Sequence, residues 1–87
     1  MNRIFVDITS DFSNVPNLEQ LLDKEHALAG KWKADGILEH LFVKENAKGA
    51  VLVFKDVDVE TIKLLIPKLP LSKHFKEVEY SVLDKQF

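Results

Sequence analysis

The chain opens with an alternation of apolar and polar positions. In "NRIFVDIT" (residues 2–9), Ile4, Val6 and Ile8 fall on one side, and Arg3, Phe5, Asp7 and Thr9 on the other. A period of two among β-branched residues predicts a strand. "SDFSNVPN" follows as a polar loop, and Pro16 and Asn17 lead into a helix start. From there the period changes. Leu18, Leu21, Leu22, Ala29 and Trp32 recur at three- and four-residue steps, which predicts a helix over 18–34, stopped by Gly36. "ILEHLFVKE" (37–45) predicts a second strand. "NAKG" (46–49) reads as a hairpin turn, with Gly49 free to take a positive φ. "AVLVFKD" (50–56) is apolar enough for a strand buried on both faces. Asp58 is placed to cap a second helix, "VETIKLLIPKL", which Pro67 and Pro70 end or kink. "FKEVEYSVL" (75–83) alternates again and predicts the last strand.

The order β-α-β-β-α-β predicts an α+β, ferredoxin-like fold: a four-stranded antiparallel sheet with both helices on one face. Right-handed crossovers put the first and third strands in the middle. No linker or low-complexity stretch interrupts residues 1–87, so a single domain is expected. The second sheet face carries Phe5, His40, Phe42 and part of the third strand. That is too apolar for water. A second copy of the chain is the expected cover, giving a homodimeric α+β barrel or a larger homo-oligomer.

Composition narrows the classes. A chain of 87 residues buries only about 60% of its extended surface, which also favours a partner subunit. With 46% hydrophobic and 30% charged residues, the chain is far from disorder. The net charge of −2, with both signs interspersed, gives no basic face for nucleic acid. The absence of cysteine excludes disulfides and thiolate chemistry. No apolar run suits a signal peptide or a membrane span, so a soluble cytoplasmic protein is expected. The three histidines lack metal-ligand spacing, and there is no phosphate-cradling glycine loop or nucleophile elbow. Neither a metal nor an organic cofactor is expected.

One residue breaks the pattern. Glu25 falls in the middle of the first helix's apolar stripe. It is either an acid/base aimed into a pocket or a glutamate with packed methylenes and its head in water. Asp7 lies in a central strand, where both faces should be covered. It is a second acid or positioning group, or it pairs with Arg3 or a lysine. His40 lies mid-strand on the face expected to meet a partner. It could donate to an enolate or lactone oxygen, or simply pack at the interface. His26 is expected to be exposed, and His74 falls in the "SKHF" loop. Trp32 and Tyr80 read as core or interface aromatics.

These features resemble the muconolactone isomerase family. "EHALAGKWKADG" carries Glu25, Ala29 and Gly36 at the end of the first helix. "EHLF" is similar to the family's second-strand pattern His-Leu-Trp-Arg. Val53 and Phe54, then Glu60, then "LPL" (Leu69, Pro70, Leu71) follow at fitting distances, and "EVEYSVL" closes the chain. The chain departs from the family at Phe42 for Trp, Val43 for Arg and Asn46 for Gly, and the "SKHF" segment after "LPL" differs. The resemblance implies cofactor-free proton transfer that shifts a double bond in a small lactone or cyclic acid. Such chemistry needs a base, a proton donor and a group to stabilise an enolate. Glu25, His40 and Asp7 are the candidates. The departures at Phe42 and Val43 favour the alternative, a non-catalytic oligomer that binds a small molecule or is purely structural. A cofactorless oxygenase is a third option, by analogy of fold alone.

Overall fold

A computed structural model describes residues 2–45 and 48–87. The elements are β1 (Asn2–Ser10), α1 (Leu18–Ala34), β2 (Leu38–Val43), β3 (Gly49–Lys55), α2 (Val59–Leu65) and β4 (Phe75–Asp84). The sheet is antiparallel with order β2-β3-β1-β4, so the first and third strands are central. This is the expected ferredoxin-like arrangement. Of the expected turn at 46–49, Asn46 and Ala47 lie outside the described residues. Gly49 does take a positive φ of 152°, and a Cβ there would collide with the Ile8 carbonyl oxygen. Only glycine lets β3 begin this close to β1.

The helix ends follow local chemistry. Gly36 adopts φ 81°. The Ile37 N–H donates to the Trp32 carbonyl (3.1 Å) and the Gly36 N–H to the Lys33 carbonyl (3.0 Å), a complete Schellman stop. Asp58 caps α2, its carboxylate accepting the Thr61 N–H at 2.8 Å. Before Pro67 the α-helix gives way to a 3-10 turn, Ile66–Lys68, and Pro70 follows it. At the start of α1, Asn17 takes a left-handed conformation, and its side chain makes no cap bond.

The core lies between the helices and one sheet face. Ile4, Val6 and Ile8 meet Ala29 and Trp32 of α1, Ile62 of α2, and Leu52 and Phe54 of β3. The Trp32 and Phe54 rings pack with centroids 5.8 Å apart. Tyr80 is partly buried against this core, with the Lys63 ammonium over its ring. β3 is the strand buried on both faces, as expected: Leu52 and Phe54 face the helices, and Val53 is buried on the other side.

β2 departs from a plain alternation. Its pairing with β3 shifts between Leu38 and His40, a bulge at Glu39. Leu38 therefore turns into the core, while His40 and Phe42 still reach the open face, level with Val53 and Val51. Glu39 gains a bidentate pair with Arg3, at 2.8 Å to Nε and 3.3 Å to Nη2. The pair explains how an arginine can lie almost fully buried on that face.

Candidate functional site

The apolar stripe of α1 carries Glu25 inward between Leu21 and Leu22 on one side and Ala29 on the other. The side chain enters a cavity of about 70 Å³ between α1 and the sheet. Ile8 and Ser10 from β1, Leu41 and Val43 from β2, and Ala50 and Leu52 from β3 form one wall. Leu22 and Ala29 form the opposite wall, and Phe12, Leu69, Leu71 and Phe75 close the end. The exposed members of the lining, His26, Leu41 and Val43, lie on α1 and at the β2 edge, so the cavity opens there.

Glu25 is anchored by backbone. The Leu71 N–H donates to Glu25 Oε1 at 2.8 Å. Leu71 follows Pro70, and its side chain is buried. The "LPL" turn thus serves two ends. Leu69 and Leu71 fill the interior, and the turn points an N–H at the carboxylate across the cavity. The other carboxylate oxygen accepts no hydrogen bond from the described residues. Burial in apolar surroundings pushes the Glu25 carboxyl up, against the opposing pull of the Leu71 N–H and of nearby His26. A half-buried carboxylate with a raised pKa, and with one oxygen unpaired among the described residues, has features that suit an acid/base.

The other two candidates from the sequence lie elsewhere. Asp7 alternates with Val6 and Ile8, so it occupies the sheet face away from Glu25. There it pairs with Lys44 at 2.6 Å. His40 is opposite Val53 on that same face, and its ring lies 5.9 Å from that of Phe42. Strand faces therefore separate both residues from the cavity. His26 is exposed at the cavity mouth.

The residue that the sequence pattern missed is Ser10. The expected strand ended at Thr9, whereas β1 runs one residue further. Ser10 continues the inward series Ile4, Val6, Ile8 and lines the cavity. Its hydroxyl is buried without a hydrogen-bond partner among the described residues. The signal was present in the sequence, since the alternation extends to it. Among the described residues, no cluster of three His, Cys, Asp or Glu could hold a metal ion, and no helix is long and apolar enough to cross a membrane.

Neither a protein-family model nor a curated protein matches the chain. Solved structures do. A crystal structure of muconolactone isomerase superposes with a TM-score of 0.77 at 23% identity, over 97% of this chain and 90% of its own. The chain shares the fold of muconolactone isomerase. An antibiotic biosynthesis monooxygenase matches with a TM-score of 0.67 at 13% identity, over 99% of both chains. The 5-chloro-2-hydroxyhydroquinone dehydrochlorinase of Burkholderia phenoliruptrix, solved with 2,5-dihydroxybenzoquinone, gives 0.60 at 11% identity over 90% of both. At these identities the likeness is one of fold, and that fold hosts more than one chemistry.

Proposed function

We propose that this protein catalyses cofactor-free proton transfer on a small lactone or cyclic acid, with Glu25 as the acid/base. The observation that carries the reading is the Glu25 carboxylate, held by the Leu71 N–H inside an apolar cavity that raises its pKa. The carboxylate takes a proton from one end of an allylic system conjugated to the ring carbonyl. The electron pair moves onto the carbonyl oxygen as an enolate. The carboxylic acid so formed returns the proton at the other end, and the double bond has moved. The likeness to muconolactone isomerase supports this reaction class.

The test is proton exchange. An unsubstituted butenolide in D₂O, followed by NMR, should incorporate deuterium in the presence of the wild type. Glu25→Gln should lower the rate by about 100- to 10,000-fold. Glutamine still accepts the Leu71 N–H, so the fold should survive. Equal exchange by the two proteins would remove Glu25 from the chemistry. A second reading is favoured by the cavity lining, which among the described residues holds no lysine or arginine to balance an enolate. On that reading the protein binds a small molecule without turning it over. Binding by the wild type with no exchange above background would establish it.

The same proposal includes a homodimer, or a larger homo-oligomer. Phe5, Phe42 and Leu83 are exposed on the sheet face that the helices leave open, beside Val51 and Val53. A second copy covering them forms the α+β barrel. Sedimentation at micromolar concentration should give a dimer or larger ring, and Phe42→Glu should shift it to monomer. A wild type that sediments as monomer would end this part of the proposal. The assignment extends to a cytoplasmic protein with no membrane or nucleic-acid partner, in line with its even charge distribution.

A further inference from the structure

We infer that Ser10 is the positioning hydroxyl of the cavity, and that the ligand is a small uncharged ring carbonyl compound whose oxygen accepts the Ser10 hydrogen bond while a C–H faces Glu25. The inference deepens the assignment of Glu25 as base and rests on it. Ser10 is 4% exposed, and its hydroxyl finds no partner among the described residues. A hydroxyl taken from water without a new hydrogen bond is costly, so native proteins seldom keep one. Alanine would fill the same place without that cost. This hydroxyl lines the cavity that holds Glu25. The two enter from opposite walls, Ser10 from the sheet and Glu25 from the helix. The Ser10 N–H donates to the Lys48 carbonyl at 2.9 Å, which fixes the backbone from which the side chain projects. A ligand oxygen at Ser10 satisfies the hydroxyl, and negative charge growing on that oxygen strengthens the bond.

The lining sets the charge of the ligand. Among the described residues it includes no lysine or arginine, and Glu25 is its one carboxylate. His26 is at the mouth, exposed. A ligand carboxylate in the interior would lie near a like charge with no fixed cation to pair it, at a high cost. The cavity therefore selects the neutral lactone or enone over its acid-bearing relative.

NMR titration with two probes, the unsubstituted butenolide and its carboxymethyl derivative, tests this at neutral pH. The wild type should bind the neutral probe more than about tenfold tighter than the acid, with shifts at Glu25, Leu71 and Ser10. Ser10→Ala should fold, melt at or above the wild-type temperature, and bind the butenolide about 3- to 10-fold more weakly. Ser10→Cys, close in size but a poor donor, should lose affinity in the same way, which separates donation from volume. Unchanged affinity in both variants, with Glu25→Gln still defective in exchange, would overturn the role of Ser10 and leave Glu25 as base. Tighter binding of the acid would overturn the ligand's charge class. No butenolide shifts in the cavity of the wild type would overturn the assignment of Glu25 and this inference together.

Discussion

Two carboxylates on opposite sides of the sheet, Glu25 and Glu39, are shifted in opposite directions. On the helix side, Glu25 enters an apolar cavity with one backbone N–H for company, and its pKa rises. On the open side, Glu39 forms a bidentate pair with Arg3, chiefly through the hydrogen bond, and its pKa falls. Asp7, two strands away, has Lys44. On the open face Glu39 and Asp7 each have a cation partner, whereas Glu79, opposite Asp7 in the sheet, has its pKa pushed up chiefly by its neighbour Glu77. On the helix face Glu25 forms no ion pair among the described residues and lines the cavity. The contrast distinguishes Glu25 from Glu39 by its surroundings: apolar cavity against arginine pair.

The largest effect should come from the packing that builds the cavity. Leu69 is buried at its closed end. Leu69→Ala should cost about 2–5 kcal/mol in urea unfolding. Phe42→Ala on the open face should change the stability of an isolated subunit by less than about 0.5 kcal/mol, since the residue is 59% exposed. A Leu69→Ala loss below that same limit would mean that the "LPL" turn does not anchor the interior.

Much of this contrast was legible in the sequence, and the failures have identifiable causes. The stripe of α1 aimed Glu25 inward because helical periodicity is insensitive to a single polar residue. The "LPL" segment stood out as a motif, and both of its leucines are buried. Its second task was hidden, because the Leu71 N–H meets Glu25 across 46 residues of sequence. The bulge at Glu39 was also hidden. One inserted residue leaves no mark in an alternating pattern, yet it moves Leu38 into the core and Glu39 to Arg3. Ser10 escaped because strand ends are read from composition, and a serine before "DFSN" looks like loop. Alternation did place Asp7 opposite Val6 and Ile8. Its separation from Glu25 follows from that, once the helices are known to cover the Val6 side.

Glu25 itself gives the next test. Glu25→Leu leaves the buried Leu71 N–H without an acceptor, a loss of about 1–3 kcal/mol that added apolar burial offsets in part. Net stabilisation of Glu25→Leu would show that the Leu71 bond contributes little. Glu25→Gln keeps the acceptor and removes the charge, so its effect should depend on pH. A carboxyl whose pKa is higher folded than unfolded binds more protons in the folded state between the two values. Wild-type stability therefore falls as pH rises through that window, and the glutamine variant should gain relative to it over the same range. Glu39→Gln should behave in the opposite sense. The lowered pKa of Glu39 contributes stability above its unfolded value and loses it as pH falls through the folded value. That variant should be weaker at neutral pH and converge with the wild type in acid. Parallel slopes for the two variants would erase the distinction between the faces.

The smallest stability effect is expected at Asp7. Its pair with Lys44 joins two partly exposed side chains, 51% and 34% accessible. Pairs of this kind contribute about 0–1 kcal/mol, so Asp7→Asn should shift the melting curve only slightly. Its value lies in the exchange assay. Strand alternation turns Asp7 away from the cavity, and His40 lies on the same outer face. Asp7→Asn and His40→Gln should then retain wild-type deuterium exchange on the butenolide, while Glu25→Gln loses it. If sedimentation shows that both variants keep the wild-type assembly and yet exchange falls with either, the open face contributes to the reaction. The sheet would then separate two parts of one site, and the contrast between a chemical face and a docking face would not hold.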